Sequence, residues 1–550
     1  MRTVSFRTAT LLLILSACLL QLPAQGQPNE DNLFFYRIYF TDKNAVLTDY
    51  SPGQLLSPAA IARREKLGIP VPEMNDLPVS MEYISALTEQ GLTYKCASRW
   101  MNTALFTSPE RIDIEALPEL LPYVDRAMLV KRPADPTKKT YGKYGTVMLK
   151  ADTDEFDPGV PLNGKALHQS GFTGTGVTIA VLDAGFVNAD RIESLAPLMQ
   201  RGGVKATRDF VTGSEYVYDY HNHGTSVLSI LAGSLPGLIS GTAPGADYIL
   251  VRTEDDGSEY PVEEDYWAAG AEYADSAGAD IITSSLGYFT FDDPSMNYSF
   301  SDMDGNSTFV TQAADIASSK GIVVIASAGN ERNKEWLRIL APSDGDGVLS
   351  VGAVTQELTI SDFSSAGYSY DGRVKPDVVA PGVNLTIQFE PDRVHRGSGT
   401  SFSCPVISGL TASLMQAVPK ASPPEIITAL HRSSDRFPDP DSLYGYGLPD
   451  FLMALRLLED IHSYKPEKGM TAGPNPFFDE IYIWFPAPPG HLSVTVTSVD
   501  GRVVMNRHYP SYAARSYRLD GFGRTGQGLF FVKVVTDYES EVFKMIRLNR

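Results

Sequence analysis

The chain has 550 residues, a formal net charge of −20 and only three cysteines. That length predicts several domains. The acidic balance argues against nucleic acid or an anionic membrane as partner, and so few cysteines exclude a disulfide-stapled scaffold.

At the N-terminus, Arg2 and Arg7 precede an apolar run from Leu11 to Leu20 and then Ala24-Gln25-Gly26. The pattern predicts a secretory signal peptide over residues 1–26, cleaved before Gln27. Leu15-Ser16-Ala17-Cys18 also fits a lipoprotein acylation box. Apolar character continues through Leu19 and Leu20, which favours simple cleavage and leaves lipidation of Cys18 open. No later stretch is long and apolar enough for a transmembrane anchor. The exported chain would keep Cys96 and Cys404 in separate domains, so core burial and not disulfides must stabilise it.

Residues 27–145 read as a small α+β domain and its linker. Phe34-Phe35-Tyr36-Arg37-Ile38-Tyr39-Phe40 alternates like a strand. A helix over residues 58–67 follows Ser57, and a second over 80–90 is stopped by Gly91. Strands are expected at 92–96 and 103–107, an interrupted helix at 112–126, and a closing strand at Met128-Leu129-Val130. A β-α-β-β-α-β sandwich is the simplest assembly. Arg132-Pro133-Ala134-Asp135-Pro136-Thr137-Lys138-Lys139 is a polar, proline-bearing connector suited to proteolytic nicking.

Residues 146–462 predict an α/β domain. Apolar strands at 177–182, 248–251, 281–283, 322–326 and 349–351 alternate with helices, which implies a parallel sheet covered on both faces. Chemistry-bearing residues gather just past the strand ends, where such sheets build their sites. Asp183 closes the first strand and is followed by Ala184-Gly185. His223 opens His223-Gly224-Thr225 before a buried helix. Ser285-Leu286-Gly287 follows the third strand. Gly321-Ile322-Val323-Val324-Ile325-Ala326-Ser327-Ala328-Gly329-Asn330 runs into a carboxamide that can donate to an oxyanion.

Ser401 lies in Gly399-Thr400-Ser401-Phe402-Ser403-Cys404-Pro405, ahead of an apolar stripe of Val406, Ile407, Leu410 and Leu414 at helical spacing. Pro405 is tolerable near the first turn, which sets the helix start close to Ser401. Gly399 permits a tight entry into it. The serine hydroxyl then sits where the helix dipole favours negative charge on a bound oxygen. Taken singly, Asp183 reads as a turn residue, His223 as a helix cap and Ser401 as an N-cap.

Together, in the order Asp, His, Asn, Ser, these pieces resemble the subtilisin-like serine proteases, the subtilases. The resemblance covers roughly residues 171–448. It includes Gly174-Thr175-Gly176-Val177 before the first strand and Lys375-Pro376-Asp377-Val378-Val379-Ala380-Pro381-Gly382 ahead of the serine. Two positions depart from the family pattern: Ala184 stands where Ser or Thr is usual, and Cys404 where a small residue such as Ala is common. Neither removes a catalytic atom.

The resemblance implies a serine endopeptidase. His223 would take the proton of Ser401, Asp183 would hold the imidazole, and Asn330 with the Ser401 N–H would stabilise the oxyanion. Ser285-Leu286-Gly287 would pair the substrate backbone and, with Ser327-Ala328-Gly329, wall the primary specificity pocket. Protein or peptide substrates are the expected partners. No cofactor enters the chemistry, and structural calcium is left open without support. A transpeptidase or peptide cyclase would share the triad, and a surface adhesin could keep the domain as a scaffold. Residues 27–145 resemble a subtilase propeptide, which in that family assists folding and blocks the active site until removed; the competing reading is a retained substrate-binding or adhesion module.

Competing motifs fail on mechanism. Gly171-Phe172-Thr173-Gly174-Thr175-Gly176 precedes its strand, whereas a phosphate loop follows one and opens a helix. His221 and His223 find no third metal ligand at suitable spacing. Cys404 lies three residues beyond Ser401 and reads as a small buried hydrophobe. Asp302-Met303-Asp304-Gly305-Asn306 begins like a calcium loop but lacks the terminal acidic ligand, so it reads as a solvated turn.

Residues 463–550 predict a small β-sandwich. Pro474-Asn475-Pro476-Phe477 opens it, and strands at 481–485, 492–496 and 529–535 are separated by turns such as Asp500-Gly501 and Asp520-Gly521. Its opening motif, the Gly528-Leu529-Phe530-Phe531-Val532-Lys533 run and the basic end from Lys544 to Arg550 resemble the C-terminal sorting domain of the type IX secretion system. That resemblance implies the secretion machinery as a partner, with passage through the periplasm to the exterior or cell surface.

Overall fold

The structure is a computed structural model describing residues 30–134, 149–150, 156–463, 469–478, 480–512, 515–522 and 525–548. The expected signal peptide and most of the connector after Ala134 lie outside the described residues.

In the N-terminal region, strand alternation over Phe34–Phe40 (β1) puts Tyr36, Ile38 and Phe40 on one face and Phe35 on the other. Together with Thr93–Ser98 (β2), Thr103–Ser108 (β3) and Val124–Lys131 (β4) it forms an antiparallel sheet of order β2-β3-β1-β4. The helices Pro58–Lys66 (α1) and Met81–Glu89 (α2) start behind Ser57 and Ser80, whose hydroxyls accept the Ala60 and Tyr83 N–H groups. The helix expected over residues 112–126 shrinks to the single turn Leu117–Leu120, and Val124 already belongs to β4. Pro118 fits a first turn, but Pro122 forces Leu121 into extended backbone and ends the helix there.

The middle region is built on seven parallel strands: Thr178–Asp183 (β5), Val204–Asp209 (β6), Asp247–Arg252 (β7), Ile281–Ser284 (β8), Val323–Ser327 (β9), Val348–Val354 (β10) and Val378–Pro381 (β11). Their order is β11-β10-β9-β8-β5-β7-β6. Alternate residues of each inner strand face opposite layers. Ile179, Val181 and Ile325 pack under His223–Ala232 (α3) and Thr400–Ala417 (α6). Ala180, Leu182 and Val324 pack under Val262–Ala277 (α4) and Phe309–Ser319 (α5). Burial on both faces explains why these strands read as unbroken apolar runs.

The N-terminal sheet docks on this region. Phe35, Leu105 and Val130 close a shared core with Val262 and Tyr266 of α4. Around that core, Arg37 pairs with Asp265, Arg63 and Arg64 pair with Asp275, and Lys320 pairs with Glu73.

In the C-terminal region, Thr471–Gly473, Ile481–Trp484 and Ser516–Leu519 form one antiparallel sheet. Gly490–Ser498, Val503–Tyr512, Gly528–Thr536 and Ser540–Arg547 form the other. Phe477, Ile483, Val494, Phe530 and Val532 fill the space between them. The protein therefore has an α/β parallel-sheet region between a small α+β domain and an all-β sandwich.

Candidate active site

β5 delivers Asp183 to the C-terminal edge of the sheet, fully buried. Its Oδ1 accepts the Ala184 N–H at 2.8 Å and lies 2.8 Å from His223 Nδ1. Its Oδ2 is buried with no hydrogen-bond partner among the described residues. His223 begins α3, and the residue after it has to be glycine. A Cβ on Gly224 would lie 2.5 Å from the Gly185 carbonyl and 3.0 Å from Asp183 Cβ, so a side chain would push the helix off the aspartate. The His223 ring lies nearly parallel to Phe402, centroids 6.1 Å apart.

Ser401 sits in the first turn of α6, as expected, but Pro405 lies one turn further in than expected. The helical partner of the Ser401 carbonyl would be the N–H of residue 405, which proline lacks. That carbonyl instead accepts the Ser285 hydroxyl at 2.9 Å, while Ser401 Oγ donates to the Ser285 carbonyl at 3.3 Å. The proline thus frees an acceptor on the helix for the segment after β8.

Asn330 follows β9 closely. Its Oδ1 accepts both the N–H of Thr400 at 2.9 Å and the Thr400 hydroxyl at 3.0 Å. With the oxygen so occupied, Nδ2 is the edge left to donate toward Ser401, and the network fixes which way the amide faces. Thr400 Oγ1 in turn accepts the Gly329 N–H at 3.2 Å. Nothing in the spacing of the sequence assigns this role to Thr400.

His223, Ser401, Asn330, Ser285, Leu286, Gly287, Ser327 and Gly329 line one cleft of about 360 Å³. Ala328 does not join them. It has no exposed surface, and its N–H donates to the Val351 carbonyl inside the sheet. The cleft also takes in Glu254, Asp256, Glu259, Asp292 and Glu331. They come from three separate loops, so no local sequence pattern marks them as a group.

Cys404 is fully buried, near the carbonyls of Ile325 and Ser284, and burial pushes its thiol up to about 11. That disqualifies it as a nucleophile. In the Asp302–Asn306 stretch, Asp304 accepts the Asn306 and Ser307 N–H groups and the Ser307 hydroxyl, and Asp302 accepts the Ser299 N–H. These are the bonds of self-closed turns. Among the described residues, no group of three or more His, Cys, Asp or Glu side chains is arranged to hold a metal.

Residues 174–447 match the model of the Subtilase family, and residues 35–143 that of the Peptidase S8 propeptide domain, Bacteroidota. Subtilisin BL of Lederbergia lenta is 30% identical over 292 residues, covering 53% of this chain and 95% of that protein. Serine protease AprX of Bacillus subtilis is 29% identical over 315 residues, covering 52% of this chain and 66% of the relative. The solved structure of the prenylagaramide maturation protease PagA is similar at a TM-score of 0.42 and 25% identity, covering 54% of this chain and 98% of that one. The chain belongs to the subtilase family and carries a propeptide domain of that family. It is a serine endopeptidase, a hydrolase whose family chemistry needs no cofactor.

Proposed function

We propose that residues 146–462 hydrolyse internal peptide bonds with Asp183, His223 and Ser401 as the triad. The Nδ1 contact of 2.8 Å between His223 and buried Asp183, in a cleft shared with Ser401, carries this reading. A carboxylate at Nδ1 fixes the tautomer that leaves Nε2 as the base. Ser401 Oγ gives up its long contact to the Ser285 carbonyl, passes its proton to His223 Nε2 and attacks the substrate carbonyl. The resulting oxyanion is met by the Ser401 N–H at the start of α6 and by Asn330 Nδ2. His223 then returns the proton to the leaving amine, and water repeats the sequence to release the acid.

In this reading residues 1–26 direct export, residues 27–145 are a removable propeptide with its linker, and residues 463–550 address the protein to the exterior or cell surface through type IX secretion machinery. The buried ion pairs and shared apolar core under the N-terminal sheet support an inhibitory domain that folds against the protease.

A fluorophosphonate probe tests the chemistry. It should label Ser401 in protein freed of residues 27–145 and fail in Ser401→Ala. Product masses with and without an added amine separate hydrolysis from acyl transfer to the amine. Protein freed of residues 27–145 that stays unlabelled would end the assignment of Ser401 as the nucleophile.

A further inference from the structure

The cleft is strongly one-sided in charge. Among the described residues, five carboxylates line it, from Glu254, Asp256, Glu259, Asp292 and Glu331, and one ammonium, Lys334. Lys334 sits on Glu331 at 2.9 Å, beside Asn330. The remaining four acids belong to the loops after β7 and β8. Those loops are joined where the Glu259 N–H donates to Asp292 Oδ2 at 3.1 Å and the Asp292 N–H to the Glu259 carbonyl at 2.9 Å. Glu254 is nearly buried and accepts the Tyr288 hydroxyl, and Asp256 lies 3.8 Å from Arg252, whose closer partner is Asp209 at 3.1 Å.

A second observation shows what chemistry this wall receives. The N-terminal domain ends at these same two loops. Lys131, at the end of β4, reaches Asp255 at 2.9 Å, and Arg132 reaches Asp293 at 2.9 Å. Asp255 sits between cleft residues Glu254 and Asp256, and Asp293 follows cleft residue Asp292. Basic side chains of the chain itself are therefore already seated on both loops at the edge of the cleft. The connector that follows is also basic, with Lys138, Lys139 and Lys143 within twelve residues of Lys131.

We propose that this loop wall selects cationic side chains, so that the protease favours peptides carrying lysine or arginine on the acyl side of the scissile bond. The inference rests on the proposed triad and deepens it by naming the substrate class. An ammonium or guanidinium entering this cleft gains from several carboxylates at once. A glutamate at the same position meets like charge, which supplies rejection as well as attraction.

Protein produced from the full chain should be given internally quenched peptides that differ only in one of the four residues before the cleaved bond, carrying Lys, Ala or Glu there. At one or more of these positions kcat/KM should fall from Lys to Ala by about tenfold or more, and further to Glu, within the range that single pocket contacts discriminate. Raising NaCl should compress the Lys-to-Glu ratio as screening grows. In a D256N/E259Q variant the ratio should fall toward one. Equal rates for the Lys, Ala and Glu peptides, in protein that the fluorophosphonate still labels at Ser401, would overturn the specificity and leave the triad standing. Failure of both labelling and cleavage would overturn the two together. A ratio that survives in the variant and in high salt would place selectivity elsewhere and overturn the loop-wall assignment.

Discussion

Ser285 and Ser401 hold each other reciprocally: the Ser285 hydroxyl donates to the Ser401 carbonyl at 2.9 Å, and the Ser401 hydroxyl donates to the Ser285 carbonyl at 3.3 Å. The first bond exists because Pro405 supplies no N–H to the helix at that point. Ser285→Ala should remove the donor to the part-buried Ser401 carbonyl and cost about 1 kcal/mol of stability. Adding Pro405→Ala returns an N–H to that carbonyl, so the double variant should regain much of the loss. Activity should not return with it, because the tie between the helix and the segment after β8 stays cut. Denaturant unfolding and kcat/KM on one peptide read the two effects separately.

Ser401→Ala and His223→Ala should each remove endopeptidase activity with a native far-UV spectrum; the unfolding midpoint should stay close to native in Ser401→Ala and fall in His223→Ala, where buried Asp183 loses its partner. If the chain cleaves its own connector, the same variants should accumulate as the larger precursor. N-terminal sequencing of the active protein should then start within the connector between Arg132 and Asp157. A start near Gln27 would show that the N-terminal domain is retained.

Asn330 separates two roles that alanine would blur. Asn330→Ala removes the Nδ2 donor and also both Thr400 bonds. Asn330→Asp keeps an oxygen to accept from Thr400 but offers no donor and adds negative charge where the oxyanion forms. Both variants should lose about 10²–10³-fold in kcat, a magnitude established on a subtilisin and borrowed from it. A fold-stable Asn330→Asp with near-native kcat would remove Asn330 from the oxyanion hole and leave it only the positioning of Thr400.

Much of the fold was legible because the inner strands of a two-faced parallel sheet are continuous apolar runs. The edge strands escaped for the opposite reason. β6 reads Val-Lys-Ala-Thr-Arg-Asp and is only partly covered, and β11 is four residues long. Asp183, His223, Asn330 and Ser401 stood out because each closes or opens an apolar element. Thr400 and the acidic wall did not. Their significance comes from loops distant in sequence meeting across the cleft, and no local periodicity encodes such a meeting. The run Ser327-Ala328-Gly329 suggests that all three wall the cleft, whereas Ala328 is fully buried just past β9, with its N–H on the Val351 carbonyl.

Among the described residues, the C-terminal sandwich meets the protease where Trp484 Nε1 donates to the Ile461 carbonyl at 3.1 Å and Thr428 Oγ1 donates to Glu480 at 3.4 Å. Its own core, around Phe477 and Phe530, is separate. Deleting residues 463–550 should therefore leave a soluble, active protease that stays in the periplasm, while the intact chain is found outside the cell or on its surface. Cell fractionation with an activity assay on each fraction checks this. Normal secretion of the truncated protein would remove the sorting role, and loss of folding would make the sandwich a structural partner of the protease.

Docking of the N-terminal domain should weaken as pH rises, and Glu264 sets the sign. Burial pushes its carboxyl up to about 7, against the lowering effects of Arg37, 3.7 Å away, and of the Tyr298 hydroxyl at 2.8 Å; neighbouring Asp265 adds to the rise. We expect rehydration of Glu264 on release to outweigh the loss of Arg37, so that its carboxyl falls back toward the ordinary value of 4.5. The docked state therefore holds a proton that the released state gives up. Glu264 imposes no penalty on docking below about pH 4.5, an increasing one from there to about 7, and a constant one above. Within that window the dissociation constant should rise by up to about tenfold per pH unit from this group. The measurement is inhibition of the protease by the N-terminal polypeptide, residues 30–134, added in trans at pH values from 5 to 8. In Glu264→Gln the amide keeps an acceptor for Tyr298 but cannot ionise, so the inhibition constant should lose most of its slope across this range. A slope unchanged by Glu264→Gln would assign the pH dependence to other buried groups of the interface, such as Asp265 or Glu272.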